Sequence, residues 1–501
     1  MKANYSKILR KRKHKIEQRL QPKNWDDQPR PMLKASNIHY EMAERTEAVN
    51  CGGIGAIHLM VQRLGLVEDL DRSLALLKVH LPYHESDHVL NIAYNILAGG
   101  QRLNDIELRR QDAVFLNGLG AERIPDPTTA GDFTRRFTEA DLSRLQECIN
   151  RARLAVWKVQ PAGFLKEAFV DVDGTIAQTY GECKAGMDIS YKGIWGYAPL
   201  VVSLANTKEV LYLVNRPGNA ASQSGSVAWI DRAVELVMQV AESVTIRGDT
   251  DFSHTGQLDR WDKAGKKFIL GMDAHPKLVA LAAALDEQAW QPFEREPKYE
   301  ILTEPRPKAL RYKEQIVVER QFENRKLVGE ALAEIEYQPC QCRKKYRIII
   351  LRKNISVQKG EQVLFDEIRY FFYITNRQDK PAKIVGLANG RCDQENVIEQ
   401  VKNGVNAMRM PVVDLVSNWA YMVMAALAWN LKAWYGLLMP NRERGTELVK
   451  MEFRRFLHAI MLMPCQIVRT ARRVIYRILG YNSWLADFFA TFERIAALNT
   501  G

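Results

Sequence analysis

The order of apolar runs between residues 164 and 275 constrains the fold of this 501-residue chain more than any other feature. Three β-type runs come first, at residues 168–172, 200–205 and 210–214. Helical and β-type runs then alternate, at residues 227–240 (helix), 244–246 (strand), 257–264 (helix) and 268–270 (strand). Strands that alternate with helices predict parallel crossovers within one sheet. The sequence therefore predicts an α/β fold in which three antiparallel strands are followed by parallel ones.

Positive charge is concentrated at the two ends of the chain. The sequence has 71 Lys and Arg against 59 Asp and Glu, which gives a net charge of +12. Residues 1–34 carry a net charge of +8 and residues 441–501 a net charge of +5, so the middle is nearly neutral. Basic ends on a neutral body indicate contacts with the phosphate backbone of nucleic acid, although solvated tails that aid solubility explain the same pattern.

Cysteine content and hydropathy exclude several classes of protein. Seven cysteines, an odd number, do not make a disulfide scaffold, and they fit a reducing cytoplasm. The most apolar stretch, residues 419–440, is interrupted by Asn430 and Lys432. Its uninterrupted part is too short to span a bilayer, so we expect a buried helix and no membrane partner. Cys340 and Cys342 are separated by one residue, which does not match the spacing of a zinc knuckle.

The segment from His84 to His88 matches the H-E-x-x-H pattern of zinc metalloproteases. That chemistry requires both histidines on one face of an established helix, with a third ligand downstream. Here Pro82 lies just upstream, and Ser86 and Asp87 are typical of a helix N-terminus. We therefore expect the two histidines to straddle a helix start, which disfavours a metalloprotease.

Acidic residues recur where two predicted strands end and on a later helix. They are Asp171 and Asp173 at the end of the first strand, Asp249 and Asp251 at the end of the fourth, and Glu395 and Glu399 on the helix after a last strand at 370–375. Sites in open α/β sheets gather beyond the carboxyl ends of the strands. Carboxylates that converge there suit Mg²⁺, and two such ions support phosphoryl transfer without a serine or cysteine nucleophile.

The helix after the last strand has a charged stripe. Arg391, Glu395, Glu399 and Lys402 are spaced so that they share one side of a helix. On the opposite side lie Val397, Ile398 and Val401. Such a helix presents a carboxylate flanked by cations, which suits a metal beside phosphates, although a surface helix with ordinary ion pairs has the same pattern.

With these residues in place, the chain resembles the insertion-sequence DDE transposases of bacteria. The segment from Arg391 to Lys402 matches R-x3-E-x6-K, the end of that family's Y-x2-R-x3-E-x6-K pattern. The strand ends at Asp173 and Asp249 are similar to its first two acids. The likeness covers about residues 50–480 and is greatest to the insertion-sequence-1380 group. It includes Asp-Pro-Thr-Thr-Ala-Gly-Asp-Phe at 126–133 and Arg-Pro-Gly-Asn at 216–219.

This resemblance implies a ribonuclease-H-like catalytic core with a β-rich insertion, and Mg²⁺-dependent cleavage and joining of double-stranded DNA at transposon ends. It implies two Mg²⁺ ions, with Mn²⁺ as an alternative, held by Asp173, Asp249 and Glu395. It also implies that Arg391 and Lys402 contact the DNA phosphates near the cleaved end. Relatives commonly act as homodimers on paired ends and cleave through a hairpin, in the bacterial cytoplasm and at the nucleoid when bound.

Several alternatives stay open at this stage. Asp171 is an alternative first acid, because Asp171 and Asp173 face the same side of a strand. Asp251 and Glu399 are weaker alternatives for the second and third acids. The Tyr of the pattern falls at Ala388, so the phosphate interaction of that tyrosine is either missing or supplied by another residue. A metal-dependent nuclease without strand transfer, and a DNA-binding protein that has lost catalysis, are the alternative functions.

The chain divides into six predicted segments. Helical apolar spacing at residues 54–64 and 89–97 makes the second segment helical, and it either binds DNA or simply caps the core. In chain order they are a basic arm (1–40), a helical DNA-binding domain (41–160), the first part of the catalytic core (161–280), a β-rich insertion (281–365), the second part of the core (366–435) and a helical, basic C-terminal region (436–501).

Overall fold

A nine-stranded mixed sheet is the largest element of the structure, which is a computed structural model. The structure describes residues 3–21, 32, 35, 37–40, 46–80, 82–181, 184–295, 316, 319–321, 323–359 and 362–498. Parts of the predicted basic arm and of the predicted β-rich insertion lie outside these residues.

The described strands are, in chain order, β1 (Ala48–Val49), β2 (Glu167–Gly174), β3 (Ala177–Gln178), β4 (Asp188–Ile189), β5 (Trp195–Tyr197), β6 (Leu200–Leu204), β7 (Glu209–Val214), β8 (Ser243–Gly248), β9 (Lys267–Met272), β10 (Gln291–Pro292), β11 (Glu323–Tyr337), β12 (Tyr346–Lys359), β13 (Gln362–Thr375), β14 (Cys465–Thr470) and β15 (Arg473–Ile478).

The described α-helices are α1 (Ala3–Leu20), α2 (Ile54–Arg63), α3 (Leu66–Ser73), α4 (Glu85–Leu97), α5 (Ile106–Arg110), α6 (Ala113–Leu119), α7 (Pro127–Thr134), α8 (Glu139–Lys158), α9 (Ser226–Val237), α10 (Leu258–Lys263), α11 (Pro276–Ala283), α12 (Pro381–Asn389), α13 (Cys392–Glu399), α14 (Leu415–Leu437), α15 (Arg442–Lys450), α16 (Phe453–Phe456) and α17 (Leu485–Ala496). The helices predicted at 54–64 and 89–97 correspond to α2 and α4.

The central strands have the predicted mixture of antiparallel and parallel neighbours. The strand order of the sheet is β10-β11-β12-β13-β9-β8-β2-β6-β7. The strands β2, β6 and β7 are antiparallel neighbours, whereas β8 runs parallel to β2 and β9 parallel to β8. The helices α9 and α10 make the two crossovers. Both connections return the chain to the same end of the sheet, so the carboxyl ends of β2, β8 and β9 lie at one edge.

Three long antiparallel strands extend the sheet on the far side of β9. The strands β11, β12 and β13 pair along most of their length, and residues 372–375 of β13 also pair with β9. The strand predicted at 370–375 therefore begins earlier, at Gln362. The predicted insertion and the core strand are continuous, because β13 belongs to both.

The long helix α14 forms the centre of the helical part of the molecule. It packs against α4, α8 and β7, and its residues from Ser417 to Gly436 are buried. The ammonium of Lys432 donates to the carbonyl of Val449 at 2.8 Å, lies 3.8 Å from the ring centroid of Trp429, and has its pKa lowered by burial. The predicted buried helix is confirmed. None of the helices described above is long and apolar enough to cross a membrane.

The two ends of the chain meet. In α1, the guanidinium of Arg12 donates to the carbonyls of Ile478 (3.0 Å) and Gly480 (2.7 Å), and Tyr5 stacks on Phe489 with ring centroids 5.2 Å apart. The segment predicted as a helical C-terminal region also contains the hairpin β14–β15. A strand forms there because alternate residues of β14, such as Cys465 and Ile467, are buried against the core.

A buried carboxylate links α8, β7 and α14. Glu209 accepts hydrogen bonds from Arg153 (2.9 Å), Trp157 (2.9 Å) and Trp434 (2.7 Å), and the side chains of Glu209 and Arg153 are both fully buried. A buried ion pair of this kind stabilises a fold only while both partners are present, because either charge alone is left without water or a counter-ion.

We predict that Glu209→Ala destabilises the fold by about 3–5 kcal/mol, because it leaves Arg153 charged and unpaired in the interior. Urea denaturation followed by circular dichroism measures the change. The matched control is Glu147→Ala, which removes an exposed partner of Arg232 and should leave the free energy of unfolding close to that of the parent. Equal stability of the two variants would contradict the prediction.

Candidate active site

The first two predicted acids lie at the same edge of the sheet. In the parallel pair β2–β8, Asp171 stands opposite Arg247. Two residues after Asp171 comes Asp173, near the end of β2, and two residues after Arg247 comes Asp249, directly after β8. Because the two strands run in the same direction and in register, these two carboxylates emerge next to each other.

One arginine lies against both carboxylates. The guanidinium of Arg391 is 3.0 Å from a carboxylate oxygen of Asp173 and 3.9 Å from one of Asp249. The side chains are only partly exposed, at 16% for Arg391, 16% for Asp173 and 34% for Asp249. The structure thus brings three of the predicted site residues together.

Both carboxyl groups are harder to ionise than usual. Burial raises the pKa of Asp173 to about 6; the charge of Asp249 adds to the rise, and Arg391 opposes it. Burial also raises the pKa of Asp249, with a further contribution from Asp251. The single positive charge of Arg391 therefore does not fully compensate the two neighbouring acids.

The alternative first acid has a different environment. Asp171 is fully buried and accepts two hydrogen bonds from Arg247, at 2.6 and 2.8 Å. A third N–H of Arg247 donates to the carbonyl of Leu387 in α12 at 2.8 Å. This ion pair connects β2, β8 and α12, whereas Asp173 is left partly open to solvent.

The remaining predicted residues lie around this centre. Glu395 is exposed on α13 and makes no ion pair or hydrogen bond through its side chain with a described residue. Glu399 accepts a hydrogen bond from Asn403 at 2.6 Å. The ammonium of Lys402 donates to the carbonyl of Ile176 at 2.9 Å, three residues after Asp173.

The helix that carries the charged stripe changes its winding. The α-helix α13 ends at Glu399, and residues Gln400–Gly404 form a π-helical turn. The apolar side is as predicted, since Val397, Ile398 and Val401 are buried. A π turn has more residues per turn than an α-helix, so Lys402 is rotated from the position that regular α-helical spacing predicts.

Gln394 is a residue that sequence reasoning missed. Its side-chain amide is buried and donates to the carbonyls of Asp171 (3.2 Å) and Val201 (3.0 Å), which fastens α13 to β2 and β6. A signal was present in the sequence, because Gln394 shares the helical spacing of Val397, Ile398 and Val401.

Arg216, the first residue of the segment at 216–219, is buried beside Gly174, the residue after Asp173. The guanidinium of Arg216 is buried and donates to the carbonyls of Ala198 (2.8 Å), Ser222 (2.7 Å) and Ser224 (2.9 Å). A Cβ atom placed on Gly174 would lie 3.5 Å from this guanidinium. Burial lowers the pKa of Arg216 to about 10.

A cavity of about 400 Å³ adjoins Asp249 and Arg391. Ala388, at the position where the transposase pattern has a tyrosine, lines this cavity. Tyr373 of β13 lines it as well, and burial raises the pKa of its hydroxyl group. A tyrosine from a different element therefore borders the same space.

The H-E-x-x-H segment has structural roles. The helix α4 begins at Glu85 with His84 as its N-cap, and Glu85 accepts hydrogen bonds from two backbone N–H groups and from His80. His84 is exposed, whereas His88 is buried and stacks on Phe133 with ring centroids 4.2 Å apart. The two histidines do not share a face, as predicted.

The three predicted metal ligands, Asp173, Asp249 and Glu395, do not come together as a cluster in this structure. Within the described ranges, no three His, Cys, Asp or Glu side chains are close enough together to hold a metal ion. Cys342 is buried and its thiol donates to the carbonyl of Thr255 at 3.1 Å, and burial raises its pKa to about 11. Cys340 is exposed.

We predict that Asp173→Asn stabilises the fold near neutral pH. The pKa of Asp173 is about 6 in the folded protein, whereas in the unfolded chain it is about 4. At a pH above about 6 the ionised carboxylate therefore lowers the free energy of unfolding. The substitution should raise the free energy of unfolding by ~1–3 kcal/mol at pH 7.5. The gain should vanish as the pH falls from about 6 to about 4, because the parent carboxyl then becomes protonated in the folded state.

Urea denaturation of the parent and the variant at pH 7.5 and at about pH 4 measures this difference. The control is Glu235→Gln, which neutralises an exposed carboxylate on α9 and should show no such dependence. A less stable Asp173→Asn protein at pH 7.5 would show that the contact with Arg391 outweighs burial and repulsion.

Comparison with known proteins bears on the family of the chain. No curated protein sequence matches it. Among solved structures, the cryo-EM structure of a piggyBac transposase synaptic complex with hairpin DNA is similar over 82% of this chain and 81% of that chain, at 9% sequence identity and a TM-score of 0.38. The family described as transposase DDE domain group 1 matches residues 44–500. Because that match covers most of the chain, the protein belongs to the group 1 family of transposase DDE domains.

Proposed function

We propose that this protein is an insertion-sequence transposase that binds terminal repeats and catalyses Mg²⁺-dependent cleavage and strand transfer of DNA. The observation that carries the proposal is the pair of carboxylates, Asp173 and Asp249, held by one arginine at the carboxyl edge of parallel strands. The strand order β7-β6-β2-β8-β9, antiparallel and then parallel, supports a ribonuclease-H-like core. The sequence from Arg391 to Lys402 supports the likeness to the insertion-sequence-1380 group.

The two carboxylates fit a divalent metal. Their donor atoms are oxygens, which Mg²⁺ prefers, and burial and neighbouring negative charge make both groups costly to ionise without a cation. Asp173 and Asp249 would hold the metal, with Glu395 on the following helix as the proposed third ligand and Mn²⁺ as an alternative ion. When bound, two such ions would supply activation of an attacking oxygen and charge stabilisation of a leaving one.

The cations around the acids have separate roles in this proposal. Arg391 offsets the charge of Asp173 and Asp249, and its remaining N–H groups can pair with a phosphate. Lys402 holds the backbone at Ile176, just beyond the turn after Asp173, and would contact a phosphate near that turn. Tyr373 would supply the hydroxyl group that Ala388 lacks, because both border the same cavity.

We propose that the main DNA-binding surface lies where α1 meets the C-terminal hairpin β14–β15. The helix α1 presents Lys7, Arg10, Lys11 and Lys15, which are exposed and make no ion pair with a described residue. The adjoining hairpin β14–β15 presents Arg472, Arg473 and Arg477, which are equally unpaired among the described residues. A two-stranded ribbon fits the major groove, and a basic helix beside it can follow the phosphates. We further propose a homodimer on paired ends, acting in the cytoplasm and at the nucleoid.

We predict that Asp173→Asn, Asp249→Asn and Glu395→Gln each reduce cleavage by about a thousandfold or more, because each removes a proposed metal ligand. The assay uses a labelled terminal-repeat duplex with Mg²⁺, and duplex affinity is measured in parallel by fluorescence anisotropy. Affinity should stay at the parent value. Glu399→Gln and Asp251→Asn are the matched controls and should keep most of the activity. Retained cleavage in Glu395→Gln together with loss in Glu399→Gln would move the third ligand.

The same assay separates the alternative functions. Joined products from marked ends support a transposase, whereas free 3′ ends without any joined product would identify a nuclease. A parent protein that binds the duplex but shows no metal-dependent cleavage would be a DNA-binding protein without catalysis.

We predict that replacing Lys7, Lys11 and Lys15 together by alanine weakens duplex binding and flattens its salt dependence. The slope of log Kobs against log salt should fall by about 0.9 for each DNA phosphate that the variant no longer binds. Alanine favours helix, so α1 should persist, and circular dichroism checks this. An unaltered slope would mean that the basic arm serves solubility only.

A further inference from the structure

A polar cavity of about 570 Å³ is lined by three arginines. It lies between α7, the 3-10 turn Leu103–Asp105 and residues 409–412, and its cationic lining residues are Arg102, Arg135 and Arg409. Arg135 is paired with Asp132 at 2.6 Å, and Asp132 is the one acid among the lining residues. Arg102 and Arg409 make no ion pair with any residue that the structure describes. Asp105, in the turn that bounds the cavity, is bonded to the backbone N–H groups of Gln101 and Arg102. With three arginines against one lining acid, the cavity carries a net positive charge.

The backbone around Arg409 is fixed before any ligand arrives. Arg409 is exposed, whereas Met408 and Met410 on either side are buried. Asn406 and Met410 have positive φ angles of 54° and 52°, in the left-handed region that non-glycine residues seldom adopt. Just downstream, the side chain of Asn418 bonds both the N–H and the carbonyl of Val412, at 3.1 and 2.9 Å. The buried neighbours and the two bonds from Asn418 fix the backbone of this loop, and Arg409 lines the cavity.

We infer that this cavity binds a backbone phosphate of DNA, at a site separate from Asp173 and Asp249. The inference rests on the proposed function. Neither guanidinium has a carboxylate partner among the described residues, and Arg409 donates only through its Nε, to Asn406 at 3.4 Å. Their planar forks of donors match phosphate oxygens. The loop with Arg409 continues directly from the helix that carries Glu395 and Lys402. A duplex with one phosphate in the cavity is therefore bound next to the element that carries the proposed third acid. The cavity is lined by residues of both the helical N-terminal region and the catalytic core.

The test compares two variants that each remove two positive charges. Arg102→Ala/Arg409→Ala changes the cavity. Lys263→Ala/Lys267→Ala is the control, because Lys263 ends α10 and Lys267 begins β9, at the edge of the sheet away from the acids. For the cavity variant we expect about tenfold weaker binding of a terminal-repeat duplex and a salt slope reduced by about 0.9 to 1.8, for one or two phosphates. The control should match the parent.

Arg409→Lys isolates the geometry from the charge. Lysine keeps the positive charge but loses the fork of donors, so a phosphate held by two parallel hydrogen bonds should bind several-fold more weakly. The inference would be overturned if Arg409→Lys bound the duplex as tightly as the parent and the control do, and if the double variant kept the parent's salt slope. Metal-dependent cleavage by the parent would then still support the proposed function.

Inorganic phosphate serves as a second probe, because a free anion and a DNA phosphate share the same chemistry. Phosphate should raise the thermal midpoint of the parent and not that of the double variant. If the double variant loses this response but keeps full duplex affinity and salt slope, the cavity binds a free anion and its assignment to DNA is wrong. A parent that binds no duplex at all would overturn both the inference and the proposed function.

Discussion

The buried ion pair between Asp171 and Arg247 joins three parts of the structure that the candidate site requires. It ties two neighbouring parallel strands together, and it reaches the carbonyl of Leu387 in α12. Four residues after Leu387 the chain supplies Arg391, which lies against Asp173 and Asp249. Removing either partner would leave a buried charge, at a cost of about 3–5 kcal/mol. The arrangement of the acids therefore depends on a carboxylate that is itself buried and paired with Arg247.

The acids are held in an unfavourable state by the rest of the fold. Burial and mutual repulsion raise the pKa of Asp173 and of Asp249, and one guanidinium opposes this only in part. Ordinary packing would place apolar groups or a complete ion pair there. Here two acids share one cation, and groups with pKa values perturbed in this way cluster at functional sites. The opposite imbalance occurs at Arg102 and Arg409, where cations lack acids.

Much of this organisation is local in the sequence, and that part was predictable. The order of apolar runs predicts the central strands. The acids stand at the ends of two of them, where the sequence changes from apolar to polar residues. The buried helix α14 follows from composition alone. Pairings between distant residues are not local: nothing near Arg247 indicates that its partners are Asp171 and the carbonyl of Leu387.

The misjudged features have the same origin. The hairpin β14–β15 lies within a segment predicted to be helical, because its short, arginine-rich strands are specified by contacts with the core rather than by a long alternating pattern. The π turn at Gln400–Gly404 changes the direction of Lys402, although the spacing of charges reads as a regular α-helix. Asp173 and Asp249 lie beside one arginine, whereas Glu395 is exposed on α13.

The contact between Arg12 and the chain near Ile478 has a consequence for biosynthesis. The partners of Arg12 are 466 and 468 residues further along the chain, so they leave the ribosome long after α1 has emerged. During translation the basic helix has no docking surface, while the central sheet can already fold behind it. The combined basic surface of α1 and the hairpin β14–β15 therefore exists only after the C-terminal segment has been synthesised. A truncated chain that folds its core would carry the acids without the assembled basic surface.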